Sequence, residues 1–408
     1  MSSYVDATSG VVEHCQAMAA QFPDLEEQYS KIASYCQNKL WHQLTLAVLD
    51  FVSQPSAFKP TPADKNTYWA LCQNVVLVVD KKINQLSLSR IASSVAFASL
   101  EAKTCTVEES TKLLQDLLTK QESNNNTATV LYLQSRLGLL TLQTSASPAK
   151  EQLDSIYSTI KTNGPLLNQL VPDTPEAMIV NAAHYELSVT YYKFVGPPEA
   201  FYDEAMQYLN YYKAQDDAKS YGLAVDLCLA ALTGEGVYNL GQVVNNPILH
   251  VLANKPEAWL VDLLQACASG NVQLFKQLCT TTYAAQIASQ PALVNMAAQM
   301  QEKITLLGLV ELVFRKPASE RTLEFSEIAQ GLEIPLEQVE WAIMRAFSVE
   351  LIKGSMDQVE GTVHVTWILP RALSPEQMSG LATRFGEWAN KVQKIQEYMQ
   401  QDTPALTQ

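Results

Sequence analysis

A chain of 408 residues that is 47% hydrophobic and 17% charged can bury a large core but is longer than one compact domain usually grows, so two or three units are expected. Its 42 acidic against 28 basic residues give a formal charge of −14, which argues against a polyanion such as DNA unless basic residues gather locally. No apolar run approaches the ~20 residues that span a bilayer, the start MSSYVDATSG lacks the order of a secretory signal, and the seven cysteines include no C-x-x-C pair; a soluble cytosolic or nuclear protein without a membrane partner is expected.

From residue 24 to about 304 nearly every segment has a helical period, with glycine scarce and proline confined to breaks. Leu40, Leu44, Val48 and Phe51 set the spacing. Pro55, Pro60 and Pro62 interrupt it, and one helix is expected over 68–88, including the run 75–79 that imitates a strand but has helical neighbours. Helices over 107–120 and 129–142 flank a polar loop at 121–126. A helix over 150–161 should end at the break carrying Gly164, Pro165, Pro172 and Pro175. Helices over 176–194, 199–213 and 217–232 follow, then others near 247, over 259–268 and over 272–278.

Paired helices of ~35 to 40 residues have the length at which tetratricopeptide-like repeats stack into a solenoid. No signature residues recur at a fixed period. The fold class expected is therefore mainly α: a degenerate TPR-like α-solenoid, followed by a winged helix and a long C-terminal helix. The parts are 1–195 as helical repeats, 196–301 as a second helical part, 302–371 as the winged helix and 372–408 as a terminal helix and tail.

The glycine-rich stretch GEGVYNLG at 234–241 fails as a dinucleotide fingerprint, because the sixth position is Asn239 and no strand precedes it. The histidines His14, His42, His184, His250 and His364 are scattered, and none has metal-ligand spacing. His184-Tyr185-Glu186 comes nearest, but a zinc deaminase also needs P-C-x-x-C, which is missing, so His184 reads as a packing residue. There is no G-x-S-x-G, P-loop or catalytic cysteine motif, and no catalytic, cofactor-binding or metal-ligating residue is assigned.

At 302 the pattern changes. An apolar helix stops at Pro317, 322–325 alternates like an edge strand, Ser326 is placed to cap a helix over 327–332, and a turn with Gly331 and Pro335 leads into a helix over 336–349. After Gly354 the period becomes two: Val363, Val365, Trp367 and Leu369 share one side of a strand. That order is a winged helix. From residue 315 to 370 it holds five basic residues (Arg315, Lys316, Arg321, Arg345 and Lys353) against nine acids. On its second helix, Leu336, Val339, Ala342, Ile343, Ala346 and Phe347 form the inner face, and Glu337, Trp341, Met344 and Arg345 the outer one. A base-reading helix would offer several Arg, Lys, Asn or Gln there. Acid and apolar surface suit a protein partner instead, although Trp341 packed under the following helix of the same chain is an equal reading.

The terminal helix, over 375–401, begins with Ser374 as cap and Pro375 at its first position. Met378, Leu381, Phe385, Trp388, Val392, Ile395 and Met399 recur at steps of three and four. So narrow a stripe suits a bundle or coiled-coil seam, and an intermolecular bundle is preferred to folding back.

A degenerate solenoid ending in a winged helix and a long helix is similar to the layout of the PCI family, whose members belong to the proteasome lid, the COP9 signalosome and translation initiation factor three. The stretches GEGVYNLGQVVNNPIL at 234–249, WLVDLLQACASGNVQLFKQL at 259–278 and FSEIAQGLEIPLEQVEWAIMRAFSVELIKGSMDQVEGTVHVTWILPR at 325–371 resemble its proteasome lid members. The resemblance implies a non-catalytic scaffold subunit of the proteasome regulatory-particle lid, cytoplasmic and nuclear, acting in ubiquitin-dependent protein degradation. Its implied partners are other PCI subunits of that hetero-oligomeric complex, with a deubiquitinase module and a ubiquitin receptor nearby, and no nucleic acid, membrane or cofactor. Carried onto this chain, Val363, Val365 and Trp367 would support the sheet layer where winged helices pair, Trp341 and Met344 would face a protein, and the 378–399 stripe would enter a helical bundle. The alternatives are another PCI assembly, or a winged-helix regulator that binds nucleic acid.

Overall fold

The computed structural model describes residues 2–60, 66–144, 148–171, 174–212, 218–253, 255–316, 321–370, 372 and 375–402. Two compact units emerge: Met1–Gly196 with Asp203–Lys213, and Pro197–Tyr202 with Ala214–Gln408.

In the first unit the helices Ser2–Gln21, Glu26–Gln37, Trp41–Ser53, Gln85–Glu101, Val107–Ser123, Thr127–Thr144, Lys150–Leu167 and Pro175–Val195 pack chiefly on their neighbours in sequence. That is the contact pattern of a helical solenoid. Val107–Ser123 illustrates why each forms. The Thr106 hydroxyl accepts the Glu109 N–H while the Glu109 carboxylate accepts the Thr106 N–H, closing a capping box. The helix then buries Ser110, Leu113, Leu114, Leu117 and Gln121 on one face and leaves Lys112, Asp116 and Lys120 in water. A core runs continuously from Val11 to Ala183, with Tyr29, Phe51 and Tyr68 meeting edge to face at 5.2 and 5.9 Å.

Two boundaries differ from the expected ones. The helix expected over 68–88 is broken: Thr67–Leu71 widens into a π turn at Cys72–Val76, and Ile83 is extended at φ −94°, ψ 149°. Gln85–Glu101 then restarts, with the Asn84 side chain accepting the N–H groups of Leu86 and Ser87. The run 75–79 is no strand, and Val75, Val76 and Val79 are buried. Conversely, Lys150–Leu167 passes through Gly164 and Pro165. Pro165 sits in the last turn, where a missing N–H removes only one internal bond. Pro62, Pro172, Pro317 and Ser374 lie outside the described residues.

In the second unit the helix Ala297–Arg315 is buried over most of its circumference, from Met300 through Val313. It packs on the helical segments before it, including Ala218–Thr233, Ala258–Ala268 and Val272–Gln277, and on the winged helix after it. The winged helix consists of β1 (Thr322–Glu324), Phe325–Leu332, Leu336–Ser348, β2 (Ile352–Asp357) and β3 (Thr362–Ile368). The antiparallel sheet has the order β1-β3-β2, so β1 is the edge strand its short alternation implied. A register shift falls between Lys353 and Gly354. Gly354 lies inside β2, where an added Cβ would stand 2.0 Å from the His364 carbonyl oxygen.

Ser326 does not cap its helix. The helix starts one residue earlier, at Phe325, whose N–H donates to the Gly361 carbonyl at 2.8 Å, and the Ser326 hydroxyl donates to Glu324 instead. One long helix, Pro375–Asp402, follows.

His184, in the first unit, is 4% exposed, and burial pushes its imidazole down to about 4. An unfolded chain takes up a proton on this residue below its ordinary value of about 6.5, whereas the folded chain refuses it until about pH 4. The stability of the neutral buried ring is therefore complete above pH 6.5 and is lost as the pH falls toward 4, by up to about 3 kcal/mol. Urea unfolding at pH 7 and pH 5 checks this: the native chain should lose more stability between the two than His184→Gln does, and equal losses would contradict it.

Candidate functional site

The outer helix of the winged helix, Leu336–Ser348, buries Val339, Ala342, Ile343 and Ala346. Trp341 and Met344 point outward and remain 53% and 49% exposed, so Trp341 is not covered by the terminal helix. Leu336, expected on the buried face, is instead 58% exposed, because at the first helical position it precedes the point where the stripe reaches the core. Phe347 is half-buried rather than fully enclosed. Three large apolar side chains of this helix are thus exposed.

Basic residues that could meet a polyanion are already engaged. Arg345 donates from Nε to Glu302 at 2.7 Å and pairs with Glu235 at 3.5 Å. Arg315 pairs with Glu311 at 3.0 Å, and Lys316 with Glu327 at 2.7 Å. Lys353 lies 3.8 Å from Glu350 and over the Trp367 ring at 5.1 Å. Exposed pairs of this kind add little stability. They do neutralise four of the five cations in a segment whose acids outnumber its bases.

The strand side splits. Val363 and Val365 are 0% and 2% exposed, fixed in the interior by β3's central position between β1 and β2. Their side chains hold the sheet to its own core. Trp367, beyond the register shift, is 37% exposed and carries the Lys353 ammonium on its face. At the wing tip the Asp357 carboxylate accepts the Val359 and Glu360 N–H groups, leaving Val359 98% exposed. Sequence reading missed this residue, and a lone valine amid the polar DQVEG turn was the available signal.

Along the terminal helix Met378, Leu381, Phe385, Trp388, Val392 and Ile395 are all exposed, Phe385 and Trp388 by more than three-fifths. Every described side chain from 378 to 398 is exposed. The helix is not folded back onto its own domain; the side chain of Met399 lies outside those described.

The groups that could do chemistry elsewhere are dispersed. His184 stands edge-on to Tyr185 at 5.5 Å, while Glu186, two residues on and on another face, pairs with Arg136 at 2.8 Å. Burial pushes the thiols of Cys15, Cys72, Cys228 and Cys267 up to about 12, which keeps them protonated and poorly nucleophilic at neutral pH. Lys303 is pushed down to about 8 by burial, but its ammonium is committed to the carbonyls of Ala231 and Gly234 at 2.6 and 3.0 Å. A cavity of about 410 Å³ in the first unit is lined by Leu137, Ile156 and Leu187 together with glutamine, threonine and serine side chains, with Glu151 its one ionisable group. Among the described residues no three His, Cys, Asp or Glu come together as a metal site, and no helix is long and apolar enough to cross a membrane.

Large apolar side chains thus stand exposed in two places, on the outer helix and along the terminal helix. Residues 28–264 match the family model described as PSD13 N-terminal repeats, and residues 280–367 match the PCI domain. The 26S proteasome non-ATPase regulatory subunit 13 of Dictyostelium discoideum is 31% identical over 98% of this chain and 99% of its own length. The Arabidopsis thaliana homolog A of that subunit is 32% identical over 97% and 98%. The 26S proteasome regulatory subunit RPN9 of Saccharomyces cerevisiae is 28% identical over 93% of both chains. With a repeat model spanning more than half of the sequence and relatives alike from end to end, the chain belongs to the family of the 26S proteasome non-ATPase regulatory subunit 13.

Proposed function

We propose that this chain is a scaffold subunit of the lid of the proteasome regulatory particle, with no active site of its own, supporting ubiquitin-dependent protein degradation by holding other subunits in place. The observation that carries the reading is the terminal helix, whose apolar stripe is exposed in the single chain and suits the seam of a helical bundle. Six large side chains left in water on one helix are costly for a protein that works alone, and burying each against a partner contributes about 1.5–3 kcal/mol. The outer-helix patch of Leu336, Trp341 and Met344 supplies a second contact, fit for a neighbouring PCI subunit.

Similarity over the whole chain, rather than over the PCI domain alone, favours the proteasome over the COP9 signalosome or translation initiation factor three. The first unit is the natural brace for the deubiquitinase module and the ubiquitin receptor. The expected location is the cytoplasm and nucleus, which imaging of a tagged full chain reads directly.

Three outcomes follow. Phe385→Ser with Trp388→Ser should lower incorporation of the full chain into reconstituted lid at least 100-fold, since two buried aromatics at about 2 kcal/mol each are lost. The thermal unfolding of the isolated chain should not move, and unchanged incorporation would refute the bundle reading. Trp341→Ala should weaken incorporation about tenfold by the same assay, while wild-type affinity would remove the outer helix from the interface. A nucleic-acid regulator would bind DNA or RNA with a steep salt dependence; the full chain should show no binding in fluorescence polarisation even at low salt.

A further inference from the structure

The stretch GEGVYNLG has no nucleotide to bind, yet its residues hold three separate parts of the second unit. At one end, the Gly234 carbonyl and the neighbouring Ala231 carbonyl accept the buried Lys303 ammonium, which ties the stretch to the helix Ala297–Arg315. The next residue, Glu235, meets Arg345 of the outer helix. Val237 and Leu240 are buried, so the stretch is seated rather than draped over the surface.

At its other end, the Asn239 side-chain oxygen accepts the Ala372 N–H at 3.2 Å. A Cβ added to Gly241 would stand 2.8 Å from the Ala372 Cβ and 3.1 Å from its carbonyl oxygen. Only a glycine lets the chain come this close. Ala372 lies between the end of the winged helix, where the Leu369 N–H donates to Leu351 at 2.8 Å, and the first residue of the terminal helix, Pro375. Three residues reach at most about 10 Å. A pin at Ala372 therefore confines where the terminal helix can begin.

We infer that Asn239 and Gly241 are positioning residues for assembly: they seat Ala372 and so fix the root of the terminal helix against the winged helix, presenting its apolar stripe to the helices of partner subunits. The inference rests on the bundle reading of that helix. A helix that makes few contacts of its own would otherwise sample many directions, and each partner would bear the entropy of selecting one. The seat makes the two apolar surfaces act as one.

The test uses the full chain with spectroscopic labels placed through non-natural residues at Gln358 on the wing and Glu387 on the terminal helix, and pulsed dipolar distance measurement. Asn239→Ala removes the acceptor, Gly241→Val forces Ala372 away, and Asn239→Asp keeps an acceptor oxygen. The distance distribution should be single and narrow in the native chain and in Asn239→Asp, and broadened or shifted in the other two. Incorporation into reconstituted lid should fall about tenfold in those two, with the unfolding midpoint unchanged in Asn239→Ala. Gly241→Ala should show a milder defect that Ala372→Gly relieves, because it deletes the atom in closest approach.

A chain ending at residue 371 separates the two ideas. If that chain fails to incorporate while Asn239→Ala and Gly241→Val match the native protein in distance and incorporation, the seat is overturned and the bundle reading stands. If the shortened chain incorporates normally, the bundle reading falls and the seat falls with it. Should Gly241→Val unfold, Asn239→Ala with its distance measurement still decides.

Discussion

The helix Ala297–Arg315 is the constraint on which the second unit depends. It is apolar around most of its surface and accepts neighbours on nearly every side: helical segments that precede it in sequence, then both helices and the central strand of the winged helix. A helix buried so completely cannot carry a charge without partners, and its one interior cation, Lys303, is satisfied by two carbonyls at the end of Ala218–Thr233. Those carbonyls would otherwise be orphans of a helix end. One side chain thus resolves two costs, and it fixes the glycine-rich stretch at the same point.

From that helix outward, charge and apolar surface are divided. The cations turn inward or sideways onto acids of the same chain, as Arg345 does with Glu302 and Glu235. Large apolar residues stand outside at Leu336, Trp341, Met344, Val359 and along the terminal stripe. A surface of that composition repels a polyanion and is stabilised by a protein. It accounts for a scaffold from the direction of physics, and membership of the subunit 13 family reaches the same place from the direction of descent.

Much of this was legible in the residues because it is local. The spacing of Leu40, Leu44, Val48 and Phe51 and the heptad of the terminal helix depend only on neighbours in sequence. What was misjudged depends on the third dimension. Pro165 reads as a stop but falls where little hydrogen bonding remains to be broken, and Leu336 has the right spacing for a core that its turn does not reach. Val363 and Val365 alternate with polar residues as a strand should, yet alternation does not say which side is sealed by the chain itself. Lys303, Asn239 and Gly241 left no local signal, since each meets its partner from at least 69 residues away.

In the proposed lid subunit, the terminal helix of this chain lies among helices of other subunits. Cross-linking mass spectrometry on the natively purified complex tests it most directly, because Lys391 and Lys394 sit on that helix with exposed side chains. Cross-links are expected from both lysines to C-terminal helical segments of other subunits. Cross-links from both confined to this chain's own two units would contradict it.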